Sequence, residues 1–154
     1  FIGNVQSRRV KDILPHAQVI HSLQTMSVAK QIEKRAERVI DCFVQVNTSE
    51  EDSKSGLAID EVKPFIEQLQ SFERLRVVGL MTMAPFTEDE AIIRRTFRTL
   101  ATLQREIEAL HLQHAPCHFL SMGMSNDFEI AIEEGATHIR IGTALVGSES
   151  GGSL

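Results

Sequence analysis

The sequence predicts an α/β fold, a parallel (β/α) barrel of TIM type that is incomplete, with about six of its eight βα units in this chain. Three observations carry that prediction. Short apolar segments alternate with helical ones along the chain, the pattern of a parallel sheet. The strand segments are apolar almost throughout, as strands covered on both faces are. The strand ends offer polar residues in succession, Asn4, Ser22, Asn47, Thr82, Ser121 and Thr143, where a βα barrel builds its site. A doubly wound sheet is the competing arrangement. No Gly-x-Gly-x-x-Gly follows the first strand, which weakens a dinucleotide fold.

Taken in order, Phe1-Ile2-Gly3 reads as the tail of a first strand, and with no initiator methionine the chain reads as a piece of a longer protein. Gln6–Leu14 is basic and predicts a short helix stopped before Pro15. Ala17–His21 is a strand ending at Ser22. A helix follows from about Thr25 to Arg38, with Val28, Ala29, Ile32 and Ala36 on one face. Asp41–Asn47 is the next strand, carrying Gln45 among apolar residues, and Thr48–Gly56 is a polar loop. Asp60 caps a helix that turns Val62, Phe65, Ile66 and Leu69 inward; Pro64 is tolerated because it lies in the first turn. Leu75–Met81 is a strand running out through Thr82 to Pro85. The long helix from about Glu88 to Leu110 carries the stripe Ile93, Phe97, Leu100, Gln104 and Ile107, read as a core-facing surface.

The last segment is the richest. Cys117–Leu120 is a buried strand that breaks at Ser121-Met122-Gly123-Met124. Ser125 stands at the N-cap of a helix, with Asp127 and Glu129 in its first turn and Gly135 closing it. Thr137–Ile141 is the last strand, and Gly142-Thr143 opens the turn after it. The barrel domain therefore spans residues 1–147, and the Ser- and Gly-rich residues 148–154 form a flexible tail.

Composition narrows the classes. In 154 residues, hydrophobic content of 42% and charged content of 24% are those of an ordinary globular domain. A net charge of −5 argues against a nucleic-acid surface, and no apolar run approaches membrane-spanning length. Cys42 and Cys117 fall in apolar segments and read as buried free thiols of a reduced, cytoplasmic compartment.

The two strand-to-helix junctions carry the chemistry. Each offers backbone N–H groups, a hydroxyl and close backbone approach through glycine, which suits a phosphate. Serine caps and terminal glycines are also ordinary punctuation, so the residue types alone leave an anion site and plain capping both open. Arg140, on the strand beside Gly142, places a cation on a rigid element between the two junctions.

Taken together, FIGNVQS at residues 1–7, HSL at His21–Leu23, QVN at Gln45–Asn47, SKSG at Ser53–Gly56, GLMTMAP at Gly79–Pro85 and SMGMSNDFEIAIEEGATHIRIGTALVG at Ser121–Gly147 resemble the pyridoxal 5′-phosphate homeostasis proteins. The resemblance covers the chain up to Gly147. It implies a single-domain barrel like the N-terminal domain of alanine racemase, one that binds pyridoxal phosphate and buffers or delivers it without established turnover. It further implies that Ser125 contacts the cofactor phosphate, that Gly142 and Thr143 donate to the same group, and that Arg140 faces the pyridine nitrogen. Met124 and Ser121, in the same turn, are implied as further contacts. An arginine cannot accept the ring proton, so the pyridine stays unprotonated and is a weak electron sink.

The partners implied are the cofactor itself and the pyridoxal-phosphate-dependent enzymes that receive it, with a monomeric protein. A racemase or decarboxylase barrel using the same phosphate site is the alternative, though such enzymes need a second domain. A fragment that does not fold alone is a third reading. The chain departs from the family pattern where Val5 replaces a leucine and Arg8-Arg9 replace Asn-Lys, and its residues after Gly147 differ. The strand that carries the family's Schiff-base lysine is absent. The five lysines, Lys11, Lys30, Lys34, Lys54 and Lys63, fall in helices or loops, so no covalent attachment is expected at the family's position.

Overall fold

A computed structural model describes residues 5–48 and 55–140. The expectations for Phe1–Gly3, Lys54, Gly142, Thr143 and the tail lie outside the described residues. The strands are β1 (Val19–Leu23), β2 (Ile40–Asn47), β3 (Leu57–Ala58), β4 (Leu75–Met81), β5 (Phe119–Met124) and β6 (His138–Arg140). The helices are α1 (Val10–Ile13), α2 (Met26–Arg35), α3 (Val62–Gln68), α4 (Glu90–Glu108) and α5 (Phe128–Glu133). The sheet order is β1-β2-β4-β5-β6, every neighbour parallel, with the two-residue β3 paired to the end of β2. A run of βα units that adds each strand beside the last is a stretch of βα barrel.

The helices form where the spacing of apolar residues places them. On α4, Ile93, Phe97, Leu100, Gln104 and Ile107 are all buried, and Asp89 caps the start by accepting from the N–H groups of Ala91 (3.0 Å) and Ile92 (3.4 Å). The one polar member of the stripe is satisfied, because Gln104 Nε2 donates to the carbonyl of Cys117 at 2.6 Å. On α2, Val28, Ala29 and Ile32 are buried, and the Thr25 hydroxyl accepts from Val28 N–H at 3.2 Å. These faces meet the sheet in one large core that includes Ile20, Cys42, Val44, Val77, Leu80 and Met122.

A second, smaller cluster of Phe43, Val78 and Met81 lies apart from it, with Val19 packed against it. Neighbouring residues of a strand point to opposite faces, so this cluster occupies the face away from the helices. The register sets its layers. Phe43, Gly79 and Phe119 lie side by side across β2, β4 and β5, and Gln45, Met81, Ser121 and His138 form the next row.

The bounds of β1, α2 and β5 shift from the sequence reading, with β1 at Val19–Leu23, α2 ending at Arg35 and β5 starting at Phe119, not Cys117; four further differences have a local reason. Ser125 is not an N-cap: α5 begins at Phe128 with Asp127 before it, and the Asp127 carboxylate accepts from Met124 N–H at 2.7 Å, which folds residues 125–127 into a turn. Ser121–Met124 does not break the strand but continues β5 to its end. Asp60 lies inside a 3₁₀ turn, Ile59–Glu61, where the Glu61 carboxylate accepts from Ala58 N–H at 2.9 Å. Gln6–Leu14 is a string of short turns around the four-residue α1.

Candidate functional site

The C-terminal ends of β4, β5 and β6 meet around one guanidinium. Arg140 closes β6 and is 8% exposed. Its Nη1 donates to Ser121 Oγ at 2.6 Å, and its Nη2 donates to the backbone carbonyl of Thr82 at 2.9 Å. Ser121, fully buried within β5, also lies 3.2 Å from His21 Nδ1 on β1. The Thr82 hydroxyl donates to the carbonyl of Val46 at 2.7 Å, which leaves its oxygen to accept from Thr48 Oγ1 at 3.0 Å. Side chains thus tie β1, β2, β4, β5 and β6 together near their C-terminal ends.

The electrostatics of this cluster are unusual for a core. Burial pushes the Arg140 guanidinium down to about 10, partly opposed by the Asp127 carboxylate, so it stays protonated at neutral pH. Among the described residues it makes no ion pair; its hydrogen-bond acceptors are a hydroxyl and a carbonyl. A buried charge held by neutral oxygens alone keeps most of its cationic field, and a guanidinium has five N–H donors of which two are used. Such a group suits an anionic or electron-rich ligand.

Beneath this polar layer lies an aromatic floor. The His21 ring stacks on Phe43 with centroids 4.4 Å apart and planes at 14°. His138 meets Phe43 edge-on at 5.2 Å and Phe119 at 5.3 Å. Burial, followed by nearby positive charge that includes Arg140, pushes His21 down from 6.5 to about 4. His21 is therefore neutral at physiological pH. Because the folded state disfavours the protonated ring, stability should be level above pH 6.5 and fall as the pH drops from 6.5 toward about 4. Urea titrations of the parent and His21→Asn between about pH 7 and pH 4.5 check this: the parent should lose stability more steeply, and parallel curves would contradict it.

Of the residues singled out in the sequence, Ser121 and Arg140 are brought into direct contact. Met124 ends β5 in register with Arg140 and is partly exposed, and Ser125 is exposed in the turn that follows. Lys11, Lys30, Lys34 and Lys63 are exposed on helices, with Lys63 paired to Glu106 at 3.0 Å, and none lies on the face that carries Arg140. Cys42 and Cys117 are free and buried, and burial raises both thiols, Cys117 to about 12. His21 and the floor it forms with Phe43, Phe119 and His138 were not singled out. The signal was present: a histidine inside a short, mostly apolar strand, Val19-Ile20-His21-Ser22-Leu23. Among the described residues no group of three or more His, Cys, Asp or Glu side chains could hold a metal ion, and no helix is long and apolar enough to cross a membrane.

Comparison with known proteins agrees with this architecture. The family model of the alanine racemase N-terminal domain matches residues 2–150. The pyridoxal phosphate homeostasis protein of Aquifex aeolicus is 40% identical over 150 residues, covering 96% of this chain and 65% of that protein. The protein of the same name from Synechocystis is 33% identical over 153 residues, covering 96% of this chain and 68% of that one. Among solved structures, PipY of Synechococcus elongatus with pyridoxal phosphate bound superposes with a TM-score of 0.82 at 28% identity, over 93% of this chain and 67% of that one. The chain spans about 65% of the length of the first of these relatives. On this likeness, in fold and along nearly its whole length, the chain belongs to the alanine racemase N-terminal-domain family, among its pyridoxal phosphate homeostasis proteins.

Proposed function

We propose that this chain contributes a pyridoxal 5′-phosphate site at the C-terminal ends of its strands, and that the protein holds or delivers the cofactor without turning over a substrate. The observation that carries the reading is Arg140: a buried guanidinium bonded to neutral oxygens, with donors left over, on the face of the sheet away from the helices. When bound, the cofactor supplies an aldehyde that condenses with amines and a ring that acts as an electron sink when its nitrogen is protonated. Arg140 would face that nitrogen as a hydrogen-bond donor, and a guanidinium has no acceptor to take up a ring proton. Ser125 in the turn after β5, with Gly142 and Thr143 beyond β6, would hold the phosphate; Ser121 would keep Arg140 in place and Met124 would line the mouth. The names of the relatives and the cofactor in PipY support this choice of ligand. We further propose a monomer, with pyridoxal-phosphate-dependent enzymes as recipients.

Spectrophotometric titration of the chain with pyridoxal phosphate, followed by borohydride reduction and peptide mapping, tests the reading. Saturable, reversible binding without a stoichiometric lysine adduct is expected, because the lysines of α1, α2 and α3 are exposed on the helices, away from the face that carries Arg140. No saturable change in absorbance would contradict the site. A single fully labelled lysine, Lys54 included, would relocate it. Interconversion of D- and L-alanine by the loaded chain would contradict the storage role.

A further inference from the structure

We infer that His21 is a positioning residue for Arg140, its Nδ1 taking the Ser121 hydroxyl proton and so committing Ser121 Oγ to accept from the guanidinium. The hydrogen bonds around Ser121 give the residue this role. Ser121 Oγ has two polar neighbours among the described residues, Arg140 Nη1 at 2.6 Å and His21 Nδ1 at 3.2 Å. Arg140 only donates, so the hydroxyl must accept there. Its own proton then has one place to go, which is Nδ1. If Nδ1 carried the imidazole proton instead, the oxygen would face two donors and the hydroxyl proton would have no acceptor among the described residues. On this assignment the neutral ring carries its proton on Nε2.

The ring is held for this task. His21 is 5% exposed and lies flat on Phe43 at 4.4 Å, with His138 at its edge at 6.2 Å. Stacking fixes the plane of the imidazole, and the plane fixes the direction of the Nδ1 lone pair toward β5. Arg140 is thereby braced twice: the Thr82 carbonyl holds one arm, and the His21–Ser121 pair holds the other. A guanidinium braced on two sides presents its remaining donors in one direction. The inference deepens the cofactor reading, since Arg140 is the group proposed to face the pyridine ring, but every contact it uses is present without ligand.

Two variants separate the hydrogen bond from the packing. His21→Phe keeps a ring on Phe43 and removes the acceptor, whereas His21→Asn removes the ring and restores an acceptor near the Nδ1 position. Long-range ¹H–¹⁵N correlation on the parent protein at neutral pH should show the proton on Nε2 and Nδ1 bare. A protonated Nδ1 would overturn the inference with no variant needed. Exchange of the Arg140 Nη protons should quicken about tenfold in His21→Phe, the order of one lost hydrogen bond, and return toward the parent rate in His21→Asn. Equal rates in parent and His21→Phe, or equal quickening in both variants, would overturn it, the latter assigning His21 to packing alone. With pyridoxal phosphate added, the absorption band of the bound cofactor should move in His21→Phe and be restored in His21→Asn. If the parent binds no pyridoxal phosphate, the cofactor reading fails, and the tautomer and exchange rates still decide the role of His21.

Discussion

Gly79→Ala is expected to lower unfolding stability by about 3 kcal/mol, the upper end of what overpacking costs, and to loosen the site with it. A Cβ at this position would collide with the carbonyl oxygen of Phe119 and lie 2.7 Å from Cε2 of Phe43. The second contact is with a ring that stacking on His21 has already fixed, and the first is with backbone of the neighbouring strand, so neither can move aside cheaply. Relief would require β4 and β5 to separate where Gly79 pairs with Phe119, and that pairing sets the row holding Met81 and Ser121 one step further on. Chemical denaturation measures the loss. A change below about 0.5 kcal/mol would show that the aromatic floor is softer than its packing indicates.

The second large effect is expected on the ligand. Ser125→Ala should weaken pyridoxal phosphate binding by about 0.5–1.5 kcal/mol for one lost hydrogen bond, and by up to ~3 because the acceptor is a charged phosphate. Arg140→Ala should leave binding measurable and shift the absorption of the bound cofactor, since the guanidinium is proposed to act on the ring nitrogen, not on the phosphate. Equilibrium titrations of both variants, with spectra at saturation, give the ranking. Arg140 dominating affinity while Ser125 is silent would exchange the two roles and place the anionic group on the buried guanidinium.

What the sequence disclosed follows from how local each feature is. The α4 stripe was legible because the helical repeat alone puts Ile93, Phe97, Leu100 and Ile107 on one side, and the Leu75–Met81 strand because its apolar run is bounded on both ends. The end of β5 was misread because serine and glycine are turn residues by habit. Here Ser121 is satisfied from inside the sheet by Arg140 and His21. Gly123 is needed for a different reason: its φ is +104°, and a Cβ there would sit 2.6 Å from that of Ala131. The Ser125 cap was displaced because the Asp127 carboxylate accepts from Met124 N–H and folds residues 125–127 into a turn, so α5 begins only at Phe128. The site network was out of reach, since Ser121 meets partners 100 and 19 positions away and Arg140 meets Thr82 across 58. Such pairs exist only once the register of five strands is set.

On the proposed reading the ring of pyridoxal phosphate faces Arg140 while its phosphate is held by Ser125 in the turn after β5, together with Gly142 and Thr143. A crystal structure of this chain grown with pyridoxal phosphate tests it most directly. The expected result is a phosphate oxygen within hydrogen-bond distance of Ser125 and the pyridine nitrogen on an Arg140 N–H, with the Ser121 and Thr82 contacts to the guanidinium retained. Cofactor bound elsewhere, for instance against Arg94, Arg95 and Arg98 of α4, with Arg140 untouched, would contradict it.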